Sequence, residues 1–262
     1  MATVVFLHAH PDDECLTTGG TMARLADEGH RVLLVTATDG ALGECPEDLL
    51  AAGEALVELR AREVQASAAA LGVAEHRFLG YGDSGMAGTD GNVASGAFCN
   101  VEVEEAAAQL AAWLAEVGAD VLVAYDEHGG YGHPDHIQVH RVGLRAADLA
   151  GTAGVYQATV NRDAVLALMA QAAELGIVRE DGSGPSPEEM ATIGLPAAEI
   201  TTVVDVAAYT GAKQAAMRCH LTQVGDMAFF LGMPADTFTQ AFGREWFVRM
   251  RAPEGTPEDH LV

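Results

Sequence analysis

The chain has 262 residues, of which 49% are hydrophobic and 20% are charged, so it is long enough to bury a large core. Fourteen Lys and Arg residues against 38 Asp and Glu residues give a formal net charge of −24. A surface with this charge repels phosphate backbones and anionic lipids. The composition therefore argues against nucleic acid and membrane surfaces as partners.

Two further features of the sequence predict a cytoplasmic protein. No apolar run approaches the ~20 residues of a membrane-spanning helix, and the N-terminus enters a strand without the basic segment of a signal peptide. The four cysteines are scattered without a C-x-x-C pair, which indicates free thiols in a reducing compartment.

The first predicted element is a buried strand that ends in a polar cluster. Val4 to Glu14 reads V-V-F-L-H-A-H-P-D-D-E, so His10, Asp12 and Asp13 follow a run of apolar residues. Open α/β sheets bind ligands in crevices at the carboxyl ends of their strands. Histidine with carboxylate is also the ligand set of a hydrolytic zinc centre with an open position. A polar loop is the alternative interpretation of this cluster alone.

The next segments predict a parallel βαβ unit. Thr17 and Thr18 are expected to cap a helix that ends near Glu28, and Arg31 to Ala37 is a second strand. The residues H-P-D-D stand where a dinucleotide-binding fold has its glycine-rich turn. A nicotinamide cofactor is therefore disfavoured.

Two loops flank the following helix and strand. Asp39 to Ala52 is an acidic loop that we expect to form a rim or lid, and Tyr81 to Asp90 is a glycine-rich loop. The helix between them runs from about Gly53 to Leu71, and the strand from His76 to Leu79. The glycine-rich loop could bind sugar hydroxyls, but on its own it indicates a turn.

A second polar cluster follows a later strand. Val103 to Val117 has helical periodicity, Asp120 to Tyr125 is a buried strand, and Asp126 to His136 reads D-E-H-G-G-Y-G-H-P-D-H. If this strand is parallel to the first, the cluster lies at the same sheet edge as His10 and Asp13. It can then complete a His₂Asp site with water in the fourth position. The alternative is that these histidines cap the next helix or lie in solvent.

The remainder of the chain is predicted to form one wall of the cleft. Its predicted strands are Val155 to Val160, Glu199 to Val204 and Arg244 to Met250, its helices Arg162 to Leu175, Glu188 to Ile193 and Ala207 to Leu221, with a break at Gly182 to Pro187. Met227 to Met233 is expected to be a loop whose apolar side chains pack in the core or at an oligomer contact. Pro253 to Val262 is expected to be a frayed tail.

The two polar clusters contain motifs that are similar to those of a known protein family. A-H-P-D-D-E at Ala9 to Glu14, with G-G-Y-G-H-P-D-H at Gly129 to His136, resembles the LmbE-like (PIG-L) family of zinc-dependent N-deacetylases. Asp83 to Asp90 and H-L-T-Q at His220 to Gln223 are similar to its mycothiol-pathway branch, which contains the N-acetylglucosaminyl-inositol deacetylase and mycothiol S-conjugate amidase. We therefore predict a single α/β domain over residues 1–262. It has a Rossmann-like, mostly parallel sheet flanked by helices in 1–150 and a small C-terminal extension in 151–262.

The resemblance implies a set of metal ligands and a base drawn from both clusters. His10, Asp13 and His136 would bind the metal, and Asp12 would be the general base that activates a water molecule. Adjacent carboxylates point in different directions, so one can bind the ion while the other faces the water. Zinc is expected, although Fe(II) suits the same two-histidine, one-carboxylate set.

The resemblance also implies roles outside the metal ligands. His133 would act as general acid or electrostatic partner, and Tyr131 would polarise the substrate carbonyl. Arg60 and Asp83 match positions that contact the sugar and the aglycone. From the residues alone, however, Arg60 and Glu63 are interpreted as a solvated ion pair.

Three more polar residues lie beside the clusters. Glu14 is expected to orient a ligand or the start of a helix. Cys15 is expected to be a packing residue rather than a ligand or nucleophile. His140, one turn after His136, is expected to support the site or to pack rather than to bind the ion.

The sequence therefore predicts a zinc-dependent amidase that removes acetyl from an N-acetylglucosamine-type sugar, a small-molecule substrate. Alternatives are a mycothiol S-conjugate amidase, a deacetylase of an antibiotic sugar, and a metal-binding module without catalysis. Asp12 argues against the last, because coordination alone does not require a second carboxylate. The sequence leaves the aglycone open, and a homo-oligomer is compatible with it.

Overall fold

One seven-stranded sheet organises the computed structural model, which describes residues 1–46, 48–174, 190 and 192–262. Its strands are β1 (Thr3–His8), β2 (Arg31–Thr38), β3 (Glu75–Tyr81), β4 (Val121–Tyr125), β5 (Gly154–Thr159), β6 (Thr202–Asp205) and β7 (Arg244–Arg251). Their order across the sheet is β3-β2-β1-β4-β5-β7-β6. The pairs among β1 to β5 are parallel, and β7 runs antiparallel to both of its neighbours. The predicted α/β, mostly parallel sheet is confirmed.

Helices cover the sheet. They are α1 (Asp13–Thr17), α2 (Gly19–Asp27), α3 (Leu56–Ala70), α4 (Val103–Val117), the single turn α5 (Gly129–Gly132), α6 (Pro134–Ala150), α7 (Arg162–Glu174), α8 (Thr210–Met217), α9 (Val224–Leu231) and α10 (Ala235–Phe242). Among the described residues, none of these helices combines the length and apolar character needed to span a bilayer.

The burial of the central strands accounts for their continuous apolar sequences. β1, β2, β4 and β5 are buried along nearly their whole length, as expected for parallel strands covered on both faces by helices. The chain leaves β1 towards β2 on one side and later returns to β4 on the other. The carboxyl ends of β1 and β4 therefore flank a topological switch point, where open α/β sheets form their ligand crevice.

Most predicted elements match within a few residues, but two predictions in the C-terminal part were wrong. The segment expected as a loop at Met227 to Met233 is largely the helix α9, in which Met227 is buried. The tail is docked rather than frayed, because Leu261 is buried and the Arg249 guanidinium donates to the carbonyl oxygens of Thr256 and His260. Both errors arise because tertiary contacts, which local composition does not show, decide these segments.

Two other predicted elements differ in their bounds. The strand expected at Glu199 to Val204 begins at Thr202, after a 3₁₀ turn at Ala197–Glu199. The helix expected at Ala207 to Leu221 is shorter and is flanked by 3₁₀ turns. The predicted break at Gly182 to Pro187 and most of the helix predicted at Glu188 to Ile193 lie outside the described residues. The single-domain assignment stays a prediction.

The start of α2 is capped from the far end of the chain. Thr18 was expected to cap it, but the Thr18 hydroxyl is 2.8 Å from Nε2 of His8 instead. The Glu245 carboxylate accepts from the backbone N–H groups of Gly20 at 2.9 Å and Thr21 at 2.7 Å. Nζ of Lys213 lies 2.6 Å from the same carboxylate, and both side chains are buried. The Glu245 carboxylate thus fastens β7 to the start of α2, and Lys213 balances its buried charge.

We expect Lys213→Met to lower the free energy of unfolding by about 3–5 kcal/mol, because the substitution leaves the buried Glu245 carboxylate without its cation. Urea denaturation followed by circular dichroism measures the change. The double variant Lys213→Met/Glu245→Gln should recover part of the loss, since it removes both charges. A loss below about 1 kcal/mol, the value of an exposed pair, would contradict this role.

Candidate active site

The two polar clusters meet at the switch point of the sheet. His10 and Asp13 follow β1, and Asp13 is the first residue of α1. His136 lies in the first turn of α6, which Pro134 begins and which follows β4. The predicted convergence of two distant segments is therefore present in the structure.

Three donor atoms form a nearly equilateral triangle. Nδ1 of His10 lies 3.4 Å from Oδ2 of Asp13, Nε2 of His136 lies 3.3 Å from the same oxygen, and the two nitrogens are 3.3 Å apart. Zinc donors lie about 2.0–2.1 Å from a tetrahedral ion, which places them about 3.3–3.4 Å from one another. The triangle therefore fits Zn²⁺, and the same donor set suits Fe(II). Ring nitrogens of His10, His133 and His136 lie within 4.8 Å of one another, which is a looser grouping than the triangle.

Hydrogen bonds direct the two rings of this triangle. Nδ1 of His136 lies 3.1 Å from the carbonyl oxygen of Gly129, to which it can donate, and this leaves Nε2 unprotonated. Nε2 of His10 lies 3.2 Å from Asp135 and 3.4 Å from Asp83, which leaves Nδ1 for an ion. Such partners set the tautomer and orientation of metal-binding histidines.

Asp135 is a functional candidate that the sequence analysis missed. Its carboxylate is buried, contacts His10 and accepts from the backbone N–H of Ser84 at 2.9 Å. Its other oxygen has no hydrogen-bond partner among the described residues. Its position between His133 and His136 in the second cluster could have indicated a functional role. A carboxylate at that position can reach His10 of the first cluster.

Asp12 lies beside the triangle in an unusual backbone conformation. Its φ angle is +133°, which is costly for a residue with a side chain. Burial and the neighbouring Asp13 carboxylate raise the pKa of Asp12 to about 7, although the charges of Arg60 and His10 oppose the shift. The Asp12 carboxylate is therefore a separate group from the triangle, adjacent to it and in contact with a cation.

Arg60 and Glu63 do not form the solvated ion pair that their sequence spacing indicated. Both side chains are buried, and the Arg60 guanidinium lies 3.2 Å from Asp12 and donates to the carbonyl oxygen of Pro11 at 2.7 Å. Glu63 accepts instead from Thr222. The interpretation failed because α3 packs this face against the site rather than exposing it. A substrate contact for Arg60 stays a prediction.

Asp83 connects the glycine-rich loop to the site. One carboxylate oxygen is 3.4 Å from His10 and accepts from the backbone N–H of Gly85, and the other accepts from the backbone N–H of Leu42. Burial opposes ionisation, but these contacts hold the pKa of Asp83 well below its usual range. The glycine-rich loop is thus attached to both the acidic loop and the candidate metal centre. A substrate contact for Asp83 also stays a prediction.

The glycines of the second cluster allow a tight turn that presents Tyr131. The buried Asp126 carboxylate accepts from the backbone N–H groups of His128 at 3.0 Å and Gly130 at 2.9 Å. Gly130 has φ +74°, which suits glycine. The Tyr131 ring is half exposed, and its centroid lies 4.8 Å from that of His136.

His133 is positioned as a neutral donor. It precedes α6, and its Nδ1 accepts from the backbone N–H of Asp135 at 3.1 Å, so the proton of the neutral ring is on Nε2. Burial and the charges of His10 and His136 lower the pKa of His133 to about 4. Its ring centroid is 4.5 Å from that of His10.

Three neighbouring residues have supporting positions. Cys15 is buried, its Sγ donates to the Asp12 carbonyl oxygen at 2.9 Å, and burial raises the pKa of its thiol, so the structure fits the expected packing role. His140 faces the Tyr125 carbonyl oxygen at 3.1 Å rather than the triangle. Glu14 is buried beneath Asp12, and although burial opposes ionisation, His220 and Ser67 hold its pKa at about 2.

A comparison with models of known protein families identifies the family of this chain. Residues 5–147, which include both polar clusters, match the family described as PIG-L: GlcNAc-PI de-N-acetylase. The chain belongs to the PIG-L family. De-N-acetylases cleave an amide bond, so membership places the chain among the amide hydrolases.

Relatives of this PIG-L protein extend the similarity over nearly its whole length. It is 42% identical over 277 residues to the 1D-myo-inositol 2-acetamido-2-deoxy-alpha-D-glucopyranoside deacetylase of Thermomonospora curvata, covering 96% of this chain and 91% of that protein. Identity to the protein of the same name in Streptomyces griseus is 41%, covering 97% of this chain and 85% of the relative.

A solved structure supports the PIG-L fold independently. The N,N'-diacetylchitobiose deacetylase from Pyrococcus horikoshii superposes with a TM-score of 0.59 over 95% of this chain and 84% of that one, at 23% identity. At this identity the likeness supports the fold alone.

Proposed function

We propose that this PIG-L protein removes the acetyl group from the N-acetylglucosamine moiety of an inositol-linked sugar, with Zn²⁺ bound by His10, Asp13 and His136. The main support is the triangle of three donor atoms 3.3–3.4 Å apart with a separate carboxylate beside it. The substrate follows the relatives that are named deacetylases of 1D-myo-inositol 2-acetamido-2-deoxy-alpha-D-glucopyranoside.

Asp12 is the general base in this proposal. Bound Zn²⁺ would polarise the amide carbonyl as a Lewis acid and lower the pKa of a water molecule to about 7. Asp12 accepts a proton from the attacking water, and the protonated carboxyl then delivers a proton to the leaving amine nitrogen. Arg60, 3.2 Å from Oδ2, fixes the orientation of this carboxylate.

Two donors face the developing negative charge in the proposal. His133 donates from Nε2, because its Nδ1 already accepts from the backbone of Asp135. From this position it can act as an electrostatic partner for the developing oxyanion. Tyr131 supplies the second donor. Desolvation of its hydroxyl and the nearby carboxylates of Asp13 and Asp12 raise its pKa, so it stays protonated. Donors placed at an oxyanion typically contribute about 2.7–4 kcal/mol each.

An S-conjugate amidase of the same branch is the second candidate. The observation that favours it is the exposure of two apolar side chains: Leu42, whose backbone N–H donates to Asp83, and Met86, which lies three residues after Asp83 in the glycine-rich loop. Apolar surface beside the sugar position could accept the thiol-linked group of a conjugate. Deacetylation of an antibiotic sugar has no specific support in the site.

The test is release of free amine from a panel of amides by protein loaded with one Zn²⁺ per chain. The panel contains the inositol-linked N-acetylglucosamine, free N-acetylglucosamine, an S-conjugate of mycothiol and an antibiotic N-acetyl sugar. We expect kcat/KM to be at least about tenfold higher for the inositol-linked sugar than for the others. A higher value for the S-conjugate would select the second candidate. Zinc-loaded protein that cleaves no amide would favour the metal-binding module.

A further inference from the structure

The strained backbone at Asp12 needs a cause. Asp12 is the one non-glycine residue with a positive φ in the described part of the chain. Such a conformation persists only when surrounding contacts fix it. The Asp12 N–H donates to Oε2 of Glu14 at 3.0 Å, and the Asp12 carbonyl oxygen accepts from the backbone N–H of Cys15 at 3.2 Å. Glu14 is therefore a direct restraint on the Asp12 backbone.

Glu14 is itself held from the other side of the molecule. Its side chain is fully buried, and Oε1 accepts from Nε2 of His220 at 2.6 Å and from the Ser67 hydroxyl. His220 is also fully buried and lies 206 residues later in the chain. Its other ring nitrogen, Nδ1, has no hydrogen-bond partner among the described residues. The polar contact that the structure gives the His220 side chain is the one with Glu14.

The segment that follows His220 is attached firmly. The Thr222 backbone N–H and hydroxyl donate to the two oxygens of Glu63 at 2.9 and 2.6 Å, and the Gln223 amide donates to the Glu44 carbonyl oxygen at 2.6 Å. The H-L-T-Q segment thus places His220 through contacts with α3 and the acidic loop. A buried ring fixed in this way can restrict the position of the Glu14 carboxylate that it contacts.

We propose that His220 is a positioning residue for the general base: it fixes Glu14, and Glu14 fixes the backbone that aims the Asp12 carboxylate. The inference rests on the proposed function, because it takes Asp12 as the base. It gives the C-terminal part of the chain a role in the reaction although His220 lies outside the triangle of donor atoms.

Two substitutions at His220 separate positioning from stability. His220→Leu removes the donor to Glu14, and we expect kcat to fall by about 10- to 100-fold, as for other residues that orient catalytic groups, with KM and zinc content unchanged. His220→Gln offers an amide N–H to Glu14 and should restore most of the wild-type kcat. Each rate is corrected for the folded, zinc-loaded fraction.

A control at another histidine distinguishes the general effect of losing a histidine from the loss of this contact. His76 is partly buried in β3 beside the Thr36 hydroxyl, and it has no hydrogen bond to Glu14 or Asp12 among the described residues. His76→Leu should lower Tm without lowering kcat. An unchanged corrected kcat in His220→Leu, or a His220→Gln variant as slow as His220→Leu, would overturn the proposal.

If His220→Leu proves too unstable to assay, a second variant and a structural measurement still test the proposal. Ser67→Ala removes the other donor to Oε1 of Glu14 and should lower kcat in the same direction by a smaller factor; an unchanged kcat overturns the proposal. Crystal structures should show Asp12 leaving its positive φ in His220→Leu and keeping it in His220→Gln. If wild-type protein cleaves no amide, the proposed function fails, and the Asp12 conformation in these two crystals still decides whether His220 positions it.

Discussion

Asp12→Asn is expected to lower kcat for amide cleavage by about 10²- to 10⁴-fold, the usual contribution of a general base. Asparagine has nearly the same shape and can still accept from Arg60, which lies 3.2 Å from the Asp12 carboxylate, so the fold should persist. Zinc content should be unchanged because Asp12 is outside the triangle of donor atoms. Steady-state kinetics together with elemental analysis on the same preparation measure both quantities.

The control for Asp12→Asn is Glu127→Gln. Glu127 is an exposed acid of the second cluster whose side chain contacts the neighbouring His128. The same change from carboxylate to amide should leave kcat at the wild-type value. An Asp12→Asn variant that turns over at the wild-type rate with full zinc content would remove the base assignment.

His136→Ala is expected to abolish stoichiometric zinc binding and, with it, activity. The substitution removes one of three donor atoms and leaves His10 and Asp13 as an incomplete set. Elemental analysis after dialysis against a weak chelator gives the occupancy. Isothermal titration of the metal-free protein with Zn²⁺ gives the affinity.

The matched control is His140→Ala, which lies one turn further along the same helix. His140 faces the Tyr125 carbonyl oxygen and Gln157 rather than the triangle. Its loss should leave zinc occupancy unchanged. Full occupancy in His136→Ala, or equal loss in both variants, would refute the ligand role of His136.

The sequence predicted the sheet and the meeting of the two clusters because both depend on local patterns. The buried strands are continuous apolar runs, and each polar cluster follows its strand directly, so parallel pairing alone brings His10 and His136 to one edge. The prediction needed no knowledge of the side-chain packing.

The supports of the site could not be predicted in the same way. Glu14 contacts His220, Glu63 contacts Thr222, and the cap of α2 comes from Glu245, and each pair joins residues more than a hundred positions apart. No periodicity connects such partners. Charge and spacing on α3 therefore indicated solvent exposure, where the fold provides buried contacts with the site.

The docked tail illustrates the same limit. Its composition is polar, yet Arg249 from β7 binds its carbonyl oxygens and Leu261 enters the core. A polar tail frays only where no other part of the chain binds it, and here Arg249 and the core bind it. Tertiary contacts overrode composition here.

The central claim is that His10, Asp13 and His136 share one ion, and anomalous diffraction from zinc-soaked crystals at the zinc edge tests it most directly. We predict one strong anomalous peak bounded by Nδ1 of His10, Oδ2 of Asp13 and Nε2 of His136. A peak elsewhere, with these three side chains free of metal, would contradict the claim.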